Sequence, residues 1–210
     1  MSDRLTSLDA SFLYLEHSTT AMHVGQVMVF QPPDDGFDYD RLVEIIEQRI
    51  ETIPRFRQKV RDVPGRIANP VWVDDESFDM SYHVRRAALP GPGTEAQLQD
   101  FVARVQPRKL DRTRPLWEVY LLEGLSAGRF AVVTKTHHAL IDGVHALDIA
   151  HVLVDSVPGA VVETTHEPWH PARSPSALEL VTGAVVDAVR RPTQVVDLVR
   201  GGVNDVMNVG

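Results

Sequence analysis

Apolar residues recur along this chain with two periods, and the switches between them mark out its elements. In residues 38–53, Leu42, Ile45, Ile46, Ile50 and Ile53 fall three and four apart, which gathers them on one face of an α-helix. Asp38 stands where a side-chain oxygen can cap the first free N–H groups. Pro54, with no N–H to continue the ladder, closes the segment. Residues 94–105 repeat the arrangement, with Leu98, Phe101, Val102 and Val105 as the stripe and Thr94 and Gln97 at capping-box spacing. A shorter helix is predicted over residues 8–16 from Leu8, Phe12 and Leu15.

Strand-like stretches alternate with these helices. Residues 22–30 predict a strand stopped by Pro32-Pro33-Asp34-Asp35-Gly36. Residues 116–122 and 130–135 predict two more, joined by a Gly-containing loop, and residues 71–73 and 82–86 give shorter candidates. Residues 55–63 alternate, so Arg55, Arg57, Lys59 and Arg61 are expected on one side of a strand. After Gly143 a helical pattern runs to residue 154. Residues 158–175 hold four prolines and little periodicity, the character of a linker. Ser174 and Pro175 suit the start of a helix through Arg190, which Pro192 breaks before a last helical piece towards Asn204. No internal repeat is visible. Helices interleaved with hairpins predict an α/β fold, a mixed-sheet two-layer sandwich. One domain is expected over residues 1–157 and a linker with a helical segment over 158–210.

Composition narrows the possible functions. The chain has 210 residues and no cysteine, which excludes a disulfide framework, a thiolate nucleophile and cysteine-ligated metal. With 21 basic against 29 acidic residues its formal net charge is −8, a poor basis for gripping nucleic-acid phosphates. Residues 1–9 lack the basic-then-apolar pattern of a signal peptide. The longest run free of Asp, Glu, Lys and Arg, residues 17–33, contains polar residues and two prolines and is no membrane span. A cytoplasmic location is expected.

The segment richest in chemistry is Thr136-His137-His138-Ala139-Leu140-Ile141-Asp142-Gly143. Two histidines stand where a predicted strand ends and a helix begins, a rim position from which side chains can face a cleft. A neutral imidazole can accept a proton from an alcohol near neutral pH. Asp142 is close enough after a tight turn to hold the backbone, and Gly143 permits unusual dihedrals. A metal is not expected: zinc needs three converging ligands, and His145 and His151, six apart, do not share a helix face. Gly124-Leu125-Ser126-Ala127-Gly128 matches the nucleophile elbow of serine hydrolases, but that motif needs a helix after it and a strand is predicted here. The cations at 55–61, and Arg104, Arg108, Lys109, Arg112 and Arg114, could grip the phosphates of a nucleotide-like cofactor. A solvated face is the favoured reading of both groups.

The H-H-x-x-x-D-G pattern at His137–Gly143 resembles the signature of the acyl-CoA-dependent acyltransferases, which include chloramphenicol acetyltransferase and peptide-synthetase condensation domains. Leu8-Asp9-Ala10-Ser11-Phe12, Met22-His23-Val24-Gly25, Pro54-Arg55-Phe56-Arg57, Leu110-Asp111-Arg112, Pro115-Leu116-Trp117 and Glu123-Gly124-Leu125 resemble, more narrowly, the bacterial wax ester synthase/diacylglycerol acyltransferase family. The resemblance implies a chloramphenicol acetyltransferase-like half and a transfer from acyl-CoA to diacylglycerol or a long-chain alcohol. His138 would be the proton acceptor, His137 would shape the site, Asp142 would be structural and Gly143 would keep the approach open. Pro115, Leu116 and Trp117 would lie near the acyl channel.

Acyl-CoA would be a co-substrate, with no other cofactor. Family members have two similar halves with the channel between them, so this chain is expected to hold the first and to need a C-terminal half polypeptide. Asn204-Asp205-Val206 resembles a second-half motif but follows His138 too closely to be it. Lipid substrates imply peripheral contact with the inner membrane or a lipid droplet. The alternatives are a half that is inactive alone and a condensation-type domain that uses carrier-protein thioesters.

Overall fold

The computed structural model describes residues 3–17, 19–51, 53–141, 149–153 and 169–190. Strand β1 (Asp3–Arg4) leads into helix α1 (Ser7–Leu15), capped by the Thr6 side chain, which accepts the Asp9 N–H. Strand β2 (His23–Phe30) is followed by helix α2 (Tyr39–Ile50), where the Asp38 carboxylate accepts the Arg41 N–H at 2.9 Å. Strands β3 (Gln58–Arg61) and β4 (Val71–Asp74) precede the short helix α3 (Met80–His83) and strand β5 (Val84–Ala88). Helix α4 (Glu95–Val105) carries the expected Thr94–Gln97 capping box. Strands β6 (Trp117–Glu123) and β7 (Phe130–His137), then helices α5 (Ile149–Leu153) and α6 (Ala177–Arg190), complete the order.

The larger sheet has the order β2-β7-β6-β5, with β5 parallel to β6 and the other pairs antiparallel. It is the mixed sheet expected from the sequence. A smaller antiparallel sheet has the order β1-β4-β3. Strand β7 is buried along its whole length because helices cover both faces of the larger sheet. On one face Leu42, Ile46 and Ile50 of α2 meet Trp117, Val119, Leu121, Phe130 and Val132. On the other, Leu98 of α4 meets Leu122 and Ala131. Full burial of a side chain such as Ile46 or Ile50 contributes about 1.5–3 kcal/mol.

Four local expectations change. The strand predicted from residue 55 opens instead with a 3-10 turn over Pro54–Arg57, since Pro54 at its first position presets the helical φ. The four cations therefore do not share one strand face, and three of them are not simply solvated. Arg55 pairs with Asp3 and lies 4.6 Å above the Trp72 ring, Arg57 lies 5.4 Å above Trp169, and Lys59 reaches Asp75 at 2.7 Å. The strand predicted from residue 82 begins at Val84, because the Asp79 side chain accepts the Ser81 N–H and caps a helical turn there.

Helix α6 starts two residues later than expected. Ser176 and Glu179 cap it reciprocally: the Ser176 Oγ accepts the Glu179 N–H at 3.3 Å, and the Glu179 carboxylate accepts the Ser176 N–H at 2.6 Å. Its Leu180 and Ala184 pack on Val63, Val71 and Val73, while Leu178 and Val185 stay exposed. The fourth change concerns length, with α2 ending at Ile50 rather than 53. Among the described residues no helix is long and apolar enough to cross a membrane. The helix expected after Gly143 is described only as α5. The stretch to residue 168 and the last helical piece lie outside the described residues.

Candidate active site

Strand β7 ends at His137, and the chain turns at once into a 3-10 turn over His138–Leu140. His137 begins that turn with its own side chain: Nδ1 accepts the Ala139 N–H at 3.0 Å. The neutral ring therefore carries its proton on Nε2. That atom is buried and points at Glu16 Oε1, 3.7 Å away, with no hydrogen-bond partner of its own. Burial pushes the His137 imidazole down to about 4, against the upward pull of Glu16, so it stays neutral near pH 7.

Glu16 follows α1 as its C-cap residue and is also buried, its side chain 1% exposed. Arg112 donates two hydrogen bonds to Glu16 Oε2, from Nε at 3.2 Å and from a terminal nitrogen at 2.9 Å. The Met22 N–H reaches Oε1 at 3.3 Å. Burial alone would raise the Glu16 pKa, but these hydrogen bonds and the neighbouring charges outweigh it and hold the carboxyl below its usual value.

His138 differs from its neighbour at every point. It is half-buried, its backbone N–H donates to the Met22 carbonyl at 2.9 Å, and its ring stacks on Phe12 with centroids 5.0 Å apart. Phe12 and Glu16 are four apart, one helical turn, so the end of α1 supports both histidines: Phe12 lies against His138 and Glu16 against His137. The inner histidine is thus fixed and neutral, and the outer one stands at the rim with a backbone held in place.

The remaining sequence candidates separate. Leu116 and Trp117 are wholly buried and Pro115 is buried too. The Leu116 carbonyl accepts the His137 N–H at 3.0 Å. Trp117 donates its indole N–H to the Phe56 carbonyl at 2.8 Å and stacks on His83 at 4.5 Å. This trio builds the wall behind the histidines. Asp142 and Gly143 lie outside the described residues, as does His145; His151 lies in α5, its side chain outside what is described. Among the described residues no group of three His, Asp or Glu side chains could hold a metal. Ser126 sits exposed in the turn between antiparallel β6 and β7, so the elbow geometry is absent.

Sequence reasoning missed three participants. Arg112, grouped with solvated cations, grips a buried carboxylate. Glu16 carried no signal beyond being an acid at the end of an apolar helix. His83 is fully buried between Trp117 and Phe78, with Nδ1–H donating to the Trp117 carbonyl at 2.8 Å. One cavity lies at the far end of β7 from the histidines and another beside α1. The first, about 210 Å³, is apolar, bounded by Met28, Phe30, Phe37, Ile45, Phe130 and Leu153. The other, about 510 Å³, runs beside α1 past Tyr14, Lys59, Arg61, Arg66 and Arg112.

Residues 5–210 match the family model for the wax ester synthase/diacylglycerol acyltransferase catalytic domain. The chain is 48% identical over 194 residues to "Probable diacyglycerol O-acyltransferase tgs3" of Mycobacterium tuberculosis, over 91% of this chain and 70% of that protein. Among solved structures, the wax ester synthase/diacylglycerol acyltransferase from Marinobacter aquaeolei VT8 is 39% identical with a TM-score of 0.57, over 70% of this chain and 37% of that one. A mutant starter condensation domain of rhizomide synthetase RzmA, in complex with C8-CoA, is similar in fold alone. Its TM-score is 0.56 at 14% identity, over 73% of this chain and 35% of that one.

Proposed function

Because the chain belongs to the wax ester synthase/diacylglycerol acyltransferase catalytic-domain family, we propose that it moves a long-chain acyl group from acyl-CoA to a hydroxyl. The acceptor is diacylglycerol, giving triacylglycerol, or a long-chain alcohol, giving a wax ester. His138 takes the hydroxyl proton as the oxygen attacks the thioester carbonyl. The tetrahedral intermediate collapses, the C–S bond breaks, and the CoA thiolate leaves with the proton returned from His138. No covalent acyl-enzyme is needed, in keeping with a chain that has no cysteine and an exposed, hairpin-borne Ser126.

The single observation that carries this reading is the division of labour in the pair. A buried, neutral His137 anchors the turn through its side chain, and the turn presents a half-buried His138 at the end of β7. The C8-CoA complex of a fold neighbour supports acyl-CoA as donor. Asp142 is assigned a structural role and Gly143 an open approach to His138, with Pro115, Leu116 and Trp117 near the acyl channel. The chain spans 37% of the length of the solved Marinobacter enzyme, and this favours a channel whose other wall is a C-terminal half, on the same or a separate polypeptide. Contact with a membrane or lipid-droplet surface follows from the lipid substrates.

The test is product formation from radiolabelled acyl-CoA with diacylglycerol or hexadecanol, with the C-terminal half supplied. His138→Ala is expected to remove product, a loss of about 10²–10⁴. Full turnover in that variant overturns the assignment. Transfer from carrier-bound but not CoA-bound acyl groups would make the chain a condensation-type domain instead.

A further inference from the structure

The buried carboxylate behind the histidine pair has a role that the proton-transfer step does not by itself require. Glu16 and His137 are both closed to solvent, at 1% and 0% side-chain exposure. Glu16 is gripped by Arg112 from the loop before β6, 96 positions along the chain, and by the Met22 N–H. Arg112 also donates to the Leu13 carbonyl at 2.6 Å, which ties the same guanidinium to the last turn of α1. The only charged oxygen that faces His137 Nε2 within ion-pair distance among the described residues is Glu16 Oε1.

We propose that Glu16, clamped by Arg112, is a positioning group that holds His137 as the Nε2–H tautomer, and through it the turn that carries His138.

The chemistry on the two sides of the ring agrees. With the proton on Nε2, a positive edge faces the carboxylate at 3.7 Å and a lone pair on Nδ1 receives the Ala139 N–H at 3.0 Å. With the proton on Nδ1, two donors would collide at the Ala139 amide and a lone pair would face the carboxylate. At 3.7 Å the interaction with Glu16 is electrostatic rather than a hydrogen bond, and in a site closed to water it is weakly screened. The Ala139 N–H opens the His138–Leu140 turn, so a ring that flips or changes tautomer releases the start of that turn and lets the His138 backbone drift. Arg112 keeps Glu16 ionised where burial would otherwise favour its neutral form. Neither residue touches the reacting atoms in this arrangement, and both act through His137.

The tautomer part stands on geometry alone; the kinetic part rests on the acyltransferase reading above. The decisive measurement is therefore made without substrate. Long-range ¹H–¹⁵N correlation of histidine-labelled full chain at pH 7.5 is expected to show His137 as a single Nε2–H tautomer, and Glu16→Ala is expected to show a tautomer mixture or exchange broadening. In the activity assay, Glu16→Gln is expected to lower kcat about tenfold or more, part of what a positioned base supplies, with KM for acyl-CoA and acceptor changed less than about threefold. Glu16→Asp, which keeps the charge, is expected to recover part of kcat.

An Nδ1–H tautomer in the wild type overturns the proposal, as does an unchanged His137 signal in a folded Glu16→Ala variant. So does a Glu16→Gln enzyme with kcat within twofold of wild type. If the Glu16 variants do not fold, Arg112→Lys supplies the same readouts, since it keeps the cation but loses the fork, and the same results in it decide. If the wild type shows no acyl transfer at all, the functional reading falls, and the tautomer measurements alone settle the positioning role.

Discussion

Removing Arg112 tests whether the charge network behind the histidines is held together as described. Arg112→Ala leaves the Glu16 carboxylate, 1% exposed, without its cation and with one N–H, from Met22, as its remaining hydrogen bond. Breaking a buried pair by removing one partner costs about 3–5 kcal/mol, because the remaining charge is uncompensated. Arg112 is itself 41% exposed, so its charge is partly screened by water and the expected cost falls to about 2–3 kcal/mol.

The pH dependence fixes the cause. In the intact protein the Glu16 pKa lies below its unfolded value, so its contribution is present above that value and is lost as pH falls through the folded pKa. Without Arg112, burial is expected to dominate and to raise the pKa above the unfolded value of about 4.3. Protonation then relieves the folded variant, and the gap between wild type and variant shrinks as pH falls from 7 towards 4. Urea titrations at pH 7.5, 6, 5 and 4 measure this gap directly. The Glu16→Ala/Arg112→Ala double variant should cost less than the sum of the two single changes, since it leaves no orphaned charge. A cost at pH 7.5 below about 1 kcal/mol, or a gap that does not narrow in acid, would refute the network as described.

Three further outcomes follow from the same structure. Trp117→Ala empties a fully buried site between Phe56 and His83 and orphans the Phe56 carbonyl; a loss of about 3–5 kcal/mol is expected by chemical denaturation, and a loss under about 1 kcal/mol would contradict the packing. Ser126→Ala should leave acyl transfer unchanged and wild-type Ser126 should resist active-site serine reagents, because it sits exposed in a β-hairpin; labelling at Ser126 would reopen a hydrolase reading. Burial pushes the pKa values of both His83 and His137 down, His137 to about 4. Their folded values lie below the unfolded value of about 6.5, so stability is fully present above that pH and is lost as pH falls below it. Melting temperatures flat between pH 7.5 and 5 would show that these rings are not held neutral.

Much of this protein is written locally in its sequence. The helix around Leu42, Ile46 and Ile50 with its Asp38 cap, the Thr94–Gln97 capping box and the hairpin after Glu123 all depend on residues within a few positions of one another. So does the placing of His137 and His138 where a strand ends, which is why that placing was legible. The 3-10 turn at Pro54–Arg57 escaped that kind of reading, since alternating Arg and Lys residues mimic a strand while their partners Asp3, Trp72, Asp75 and Trp169 lie elsewhere in the chain.

Tertiary structure alone decided what the two histidines are. Both are imidazoles in adjacent positions, and their residue type gives each the same starting chemistry. Packing makes one a buried neutral anchor, facing a carboxylate that an arginine 96 positions away holds ionised, and leaves the other half-buried against Phe12. Helix caps and periodicity are encoded within a few residues, where a window on the sequence can see them. Desolvation and charge pairing depend on which distant segments the fold brings together, and that becomes defined only when α1, β7 and the loop before β6 meet.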